Sequence, residues 1–265
     1  MHTATYLAPY RALIGGSTQG IGRAVAQLLA ERGCAVTLLA RNEERLREAV
    51  TALPTPGNAH HNYLVADFTA PEALAATVRE YLSKAGVGFD ILVNNTGGPP
   101  GGPLLSATPA DFRAAFEQHL IANHLLAQAV VPGMQAAGFG RIINIVSTSV
   151  KVPLPGLGVS NTIRGAVASW AKTLANELGP LGITVNNVLP GATLTQRHTS
   201  LIKKKTAQTG QSAEAIEADM LKLIPARRFG LAEEVAAAVA FLASPAAGYI
   251  NGTSVPVDGG RTGAL

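Results

Sequence analysis

The sequence predicts an α/β fold: one doubly wound domain over residues 1–265, with about seven parallel strands in a single sheet and helices on both of its faces. Three observations carry this. Short apolar runs alternate with segments of helical periodicity along the chain. The first run opens directly into a glycine-rich turn and then an amphipathic helix. Of the 265 residues 47% are hydrophobic but only 5% aromatic, so Ala, Val, Leu and Ile must build the interior, as helices on a parallel sheet require.

Taken in order, Arg11 to Ile14 is a strand, Gly15, Gly16 and Gly20 form the turn, and Ile21, Ala24, Val25, Leu28 and Leu29 recur at helical spacing until Gly33. Cys34 to Ala40 is the second strand. Asn42 followed by Glu43 and Glu44 starts a helix to about Leu53, because a side-chain oxygen caps free N–H groups and acids suit the first turn. A strand ending at Asp67, a helix opening with Pro71, and a buried strand from Phe89 to Val93 follow. Thr108-Pro109-Ala110-Asp111 is a helix start, and the apolar period after it predicts one helix to about Ala137. Arg141 to Val146 is a strand, Gly158 to Leu178 a long helix, and Ile183 to Leu189 another strand. Gln196 to Arg228 reads as polar and irregular; a helix from Glu233 to Leu242 and a strand from Ser254 to Val257 close the pattern. Such alternation with right-handed crossovers gives a parallel sheet, and no linker or repeat interrupts it.

The bulk numbers exclude several function classes. A net charge of +4 is spread out, and its one dense cluster, Lys203, Lys204 and Lys205, suits a solvated helix face, so no nucleic-acid partner is expected. The single cysteine, Cys34, cannot form an intrachain disulfide, and no Cys/His group has metal-site spacing. Met1 to Tyr10 lacks the basic and apolar regions of a leader, and no apolar run approaches the ~20 residues that span a bilayer. A soluble, cytoplasmic protein with no membrane association and no metal is the expectation.

In a doubly wound sheet the ligand crevice lies beyond the carboxyl ends of the strands, at the point where strand order reverses. The turn after the first strand should face it. Glycine lets the backbone approach a pyrophosphate, and the next helix offers free N–H groups and partial positive charge to that anion. Gly16-Ser17-Thr18-Gln19-Gly20-Ile21-Gly22 resembles the TGxxxGIG turn of the short-chain dehydrogenase/reductase family, with Gly15 in place of the usual Thr. Asn94-Asn95-Thr96-Gly97 resembles that family's NNAG, and Val257-Asp258-Gly259-Gly260 its VDGG. Asp67, followed by Phe68, stands where the family's adenine-contacting Asp stands, and Pro190-Gly191 with Thr193 and Thr195 resembles its nicotinamide-side segment. The resemblance runs from about Arg11 to Gly260 and implies a Rossmann-type fold and a dinucleotide cofactor. Arg41, just past the second strand, is placed to pair with a ribose 2′-phosphate, so NADP(H) is favoured over NAD(H); alternatively it stacks on adenine or faces solvent.

The family's catalytic groups are a Ser after the fifth strand, a YxxxK pair on the next helix, and an Asn on the preceding helix. Ser147 matches the Ser; the Tyr, Lys and Asn positions hold Ser160, Arg164 and His119. The five tyrosines, Tyr6, Tyr10, Tyr63, Tyr81 and Tyr249, all lie far from Ser147 in sequence, so no slip of register restores the ring. Arg164 can bond ribose hydroxyls and stabilise an alkoxide, but with a pKa above about 12 it cannot relay protons. Three replacement donors are open: a water between Ser147 and Ser160, Lys151 if burial lowers its pKa, or His119, since imidazole titrates near neutrality. Lys151 also reads as a loop charge and His119 as a packed polar residue. Ser147 is not a triad nucleophile, because Ser147-Thr148-Ser149 lacks the glycine elbow.

An NADP(H)-dependent reductase or dehydrogenase acting on a small carbonyl or alcohol, with a non-standard proton donor, is the expected function. The alternatives are a catalytically silent cofactor binder that serves as sensor or partner subunit, and a purely structural protein. The family resemblance implies a homodimer or homotetramer formed through the two long helices, and makes Gln196 to Arg228 a mobile substrate cover. Lys203 to Lys205 hint at tolerance for an acidic substrate.

Overall fold

The computed structural model describes residues 7–264; Tyr6 and most of the Met1 to Tyr10 stretch lie outside them. In chain order the elements are β1 (Arg11–Gly15), α1 (Gly20–Glu31), β2 (Ala35–Ala40), α2 (Glu43–Thr51), β3 (Asn62–Val65), α3 (Pro71–Ala85) and β4 (Ile91–Asn94). Then follow α4 (Pro109–Phe116), α5 (Ala122–Ala137), β5 (Gly140–Ile145), α6 (Gly158–Leu178), β6 (Ile183–Pro190), α7 (Gln196–Thr209), α8 (Ala213–Lys222), α9 (Ala232–Ala243) and β7 (Ser254–Val257).

All seven strands are parallel in the order β3-β2-β1-β4-β5-β6-β7, the doubly wound sheet expected. Alternate residues of the central strands serve opposite faces. Ile14, Val93 and Ile143 pack with Val25 and Leu29 of α1 and Val235 and Val239 of α9. Leu13, Leu92 and Ile142 pack with Leu74 and Val78 of α3, Leu126 and Val130 of α5, and Ala171 of α6. Both faces are dry, which is why the strands read as continuous apolar runs.

The predicted helix starts are built as expected. Asn42 Oδ1 accepts the Arg45 N–H at 2.8 Å, and Thr108 and Asp111 form a reciprocal capping box. Two predictions are corrected. The helix expected from Thr108 to Ala137 is interrupted by one π-helical turn, Glu117–Ile121, between α4 and α5. The extra residue in that turn re-aims the helix face, and π-turns of this kind concentrate at functional positions. The segment Gln196 to Arg228, expected to be irregular, instead carries α7 and α8, capped by Thr195 and Ser212.

Within the apolar interior, a row of amides crosses the sheet. Asn94 Nδ2 donates to Asn144 Oδ1 at 2.9 Å, Asn144 Nδ2 to Asn187 Oδ1 at 3.0 Å, and Asn187 Nδ2 to the Ser254 hydroxyl at 3.1 Å. These residues are register partners on β4, β5, β6 and β7, so a slip of any strand by one residue would break the row. The row ties these four strands together at one level, just below the carboxyl ends of β4 and β5 that carry the site.

Candidate functional site

Strand order reverses between β1 and β4, and the predicted cofactor segments converge at that reversal. Gly16 has φ +56°, and a Cβ there would lie 2.7 Å from the Asn95 carbonyl oxygen. A Cβ on Gly22 would collide with the Gly16 carbonyl, so the turn closes only with glycine at both positions. Asn95 Nδ2 donates to the Gly15 and Gly16 carbonyls at 3.1 and 3.3 Å, and the Ser17 hydroxyl accepts the Leu39 N–H at 3.0 Å. The turn is thereby tied to β2 and to the loop after β4. Gly15, where the family resemblance leads one to expect Thr, leaves room for Phe68: its ring Cζ would be 2.6 Å from a Cβ at 15.

Helix α1 starts at Gly20 with no side-chain cap and no acid in its first turn. Its leading N–H groups are therefore free for an anion, and the residues present fit a pyrophosphate carried by a dinucleotide. Thr195 approaches the same turn, its Cγ2 being 3.4 Å from where a Gly20 Cβ would stand, so the Thr18, Gln19 and Ile21 side and the Pro190-to-Thr195 segment share one cleft. Thr193 is buried there, and Gly191 packs on Asp258 and donates its N–H to the Val257 carbonyl at 3.0 Å. Thr96 and Gly97 both accept from Gln118 Nε2, at 3.0 and 3.3 Å, which ties the loop after β4 to the π-turn. Just past β2, Arg41 is exposed and pairs with Asp67 at 3.7 Å. Beside the glycine turn, a cavity of about 320 Å³ is lined by Thr18, Gln19, Arg23, Arg45, Glu48 and Gln196. A larger one, of about 520 Å³, lies between Leu194, Leu221, Phe229 and Leu231 and takes in none of the predicted site residues.

The candidate catalytic positions are brought together in part. Ser147 stands two residues past β5, and its Oγ accepts the Ser149 N–H at 3.1 Å, which leaves its own O–H free to donate. Ser160 and Arg164 are one turn apart on the buried stripe of α6. The Arg164 guanidinium donates to the Ile145 carbonyl at 3.1 Å, two residues before Ser147. Burial, and then the charge of Arg197, bring Arg164 down to about 10, below the value above 12 expected from sequence, yet it remains a cation at neutral pH.

Of the three donors left open, two lack what the role requires. Lys151 is exposed, without the burial that its role as an acid requires. His119 lies in the π-turn, fully buried, with neither ring nitrogen hydrogen-bonded. Burial first, then the positive charges of Arg164 and Arg197, push it down to about 3. At neutral pH it is therefore a neutral imidazole with no proton to give as an acid.

Sequence reading missed Arg197. It stands second in α7, and its Nη1 donates across the cleft to the Gly98 carbonyl at 3.2 Å. Only its position just after the Thr195 cap could have marked it. Among the described residues no group of three or more His, Cys, Asp and Glu could hold a metal, and no helix is long and apolar enough to cross a membrane.

Set beside known proteins, residues 16–262 match the family model described as enoyl-(acyl carrier protein) reductase. The chain is 33% identical over 252 residues to the short-chain reductase protein NovJ of Streptomyces niveus, covering 94% of this chain and 93% of that protein. It is likewise 33% identical over 249 residues to the 3-oxoacyl-(acyl-carrier-protein) reductase FabG of Vibrio cholerae, covering 94% and 96%. The solved structure of L-sorbose reductase from Gluconobacter frateurii, complexed with NADPH and L-sorbose, superposes with a TM-score of 0.92 at 33% identity, over 100% of both chains.

Proposed function

Because the chain belongs to the short-chain dehydrogenase/reductase family of NAD(P)-dependent oxidoreductases, we propose that it reduces a carbonyl or oxidises an alcohol with NADP(H), and that water replaces the missing tyrosine as proton source. NADP(H), when bound, supplies or accepts the hydride, so that carbonyl, hydride and one proton balance as alcohol.

The observation that carries the reading is the buried cation at the catalytic serine. Arg164 has one hydrogen bond, to Ile145, and places a full positive charge at the end of β5. A preorganised cation in a poorly hydrated site stabilises the negative oxygen that develops as the carbonyl carbon is attacked. Ser147 adds a hydroxyl donor. Ser160 is far smaller than a phenol, and in this reading a water takes the place of the missing ring between the two serines. That water protonates the alkoxide, a task a guanidinium does not perform.

NADP(H) is supported by Arg41, whose exposed guanidinium flanks Asp67, and by Arg23 and Arg45 nearby on the cavity wall. The NADPH in the L-sorbose reductase structure points the same way. Assembly through the surfaces of α4, α5 and α6 into a dimer or tetramer is part of the proposal, read by light scattering.

The test is NADPH oxidation by the purified protein with a panel of ketones, aldehydes and acyl thioesters. Turnover should fall about 100-fold in Ser147→Ala with the NADPH dissociation constant unchanged. No oxidation with any compound, while NADPH still binds, favours the other reading, a silent cofactor-binding sensor or partner subunit, for which the absent Tyr and Lys speak.

A further inference from the structure

Two guanidinium groups reach the ends of β4 and β5 from opposite helices, near enough that the charge of Arg197 bears on Arg164, and among the described residues neither is ion-paired with an acid. Arg197 crosses from α7 to the Gly98 carbonyl, next to the Gly97 carbonyl that Gln118 holds, and Gln118 adjoins His119 in the π-turn. Arg164 reaches the same strand ends from α6 through Ile145. Where an acid is in reach, arginines of this chain pair with it: Arg47 with Glu43 at 2.9 Å and Arg228 with Glu234 at 2.6 Å. Among the described residues, no ion pair joins Arg164 or Arg197 to an acid. Beside them His119 is fully buried with both ring nitrogens unpartnered, an independent sign of polar capacity that the protein itself does not use.

Arg164 is a buried cation with no acid partner among the described residues, and the nearby charge of the exposed Arg197 adds to the cost, which an anion reaching both would offset. The arrangement is explained if that anion arrives with the substrate. We propose that Arg197 is a specificity-determining residue that receives a substrate carboxylate, with the Arg164 cation close by, so that the substrates are oxo or hydroxy acids whose acid group lies a few bonds from the reacting carbon. This rests on the hydride-transfer reading above. A guanidinium suits the task because its planar fork meets both carboxylate oxygens at once. Arg197 is exposed, while its hydrogen bond to the Gly98 carbonyl fixes its direction.

The experiment compares 2- and 3-oxo acids with their methyl esters in NADPH oxidation by the native protein, Arg197→Gln and Arg197→Lys, and measures oxamate and NADPH binding to each by calorimetry. The native protein should prefer acid to ester, and Arg197→Gln should lower that preference by about 100-fold, with Arg197→Lys intermediate. Oxamate binding to the NADPH-loaded native protein should be lost in Arg197→Gln. If neither acid nor ester is reduced, the hydride-transfer reading fails, and oxamate binding that depends on Arg197 still supports the anion site. Absence of carboxylate binding to the native protein overturns the inference however activity comes out. It is equally overturned if Arg197→Gln weakens NADPH binding while leaving the acid-to-ester ratio as it was, because Arg197 then serves the cofactor.

Discussion

Replacing His119 by Leu should remove a specific part of the protein's acid sensitivity. The folded chain holds this imidazole at about 3, against 6.5 when free, and burial is the main cause. Between those values the unfolded chain binds a proton that the folded chain does not, so stability rises with pH across the window and is lost as pH falls. Each unit below 6.5 costs about 1.4 kcal/mol, which amounts to about 2 kcal/mol between pH 7.5 and 5. Above pH 6.5 the residue contributes no pH dependence. The Leu variant also removes two buried nitrogens that have no partner, so at pH 7.5 it should be as stable as the native protein or more so. Urea unfolding at pH 7.5 and pH 5, at one fixed protein concentration, reads both effects. The native protein should lose about 2 kcal/mol more than the variant over this interval. Equal losses in the two proteins would refute the buried neutral imidazole, as would an NMR titration of the His119 ring near 6.5.

Three further outcomes follow from the same geometry. Asn187→Ala should cost about 2 kcal/mol in denaturant unfolding, because it strands Asn144 Nδ2 inside the sheet and leaves the Ser254 hydroxyl without its donor. Arg41→Ala should weaken NADPH about tenfold with little change for NADH, the modest size reflecting an exposed ion pair, as fluorescence titration with each cofactor would show. Ser160→Tyr with Arg164→Lys restores a phenol and its ammonium neighbour, and kcat should rise by about 100-fold, read against a ketone panel over pH 6 to 10.

The fold was largely legible because its determinants are local. Runs such as Arg141 to Val146 are apolar on both faces only in a covered parallel sheet, and Asn42, Pro71 and Thr108 announce helix starts through their own chemistry. Helices α7 and α8 were missed because they bury little: His198 and Ile202 on one, Ile216 on the other. So sparse an apolar stripe leaves no clear period, although the Thr195 and Ser212 caps and the left-handed Gly210 were in the sequence. The π-turn adds one residue without a Pro or Gly to mark it.

The places of the glycine turn and of Ser147 beside the strand ends were legible because the strands before them are plain in the sequence. The behaviour of the replacing residues was not. His119 and Lys151 are both titratable in sequence, but only the packing tells that one is sealed away from solvent and the other lies in it. Arg197 was beyond reach for a related reason: its contact with Gly98 joins residues 99 positions apart. The amide row from Asn94 to Ser254 likewise exists only once four strands are in register.

The central claim is that a cleft with Ser147, Ser160 and Arg164, and no tyrosine, still transfers hydride. Its most direct test is NADPH carrying deuterium at the transferable C4 position, incubated with the purified protein and a panel of ketones and oxo acids, with products read by mass spectrometry. The account predicts an alcohol bearing one deuterium on the carbinol carbon, and loss of most of that label in Ser147→Ala. Products free of deuterium with every compound, from a protein shown to bind NADPH, would contradict it.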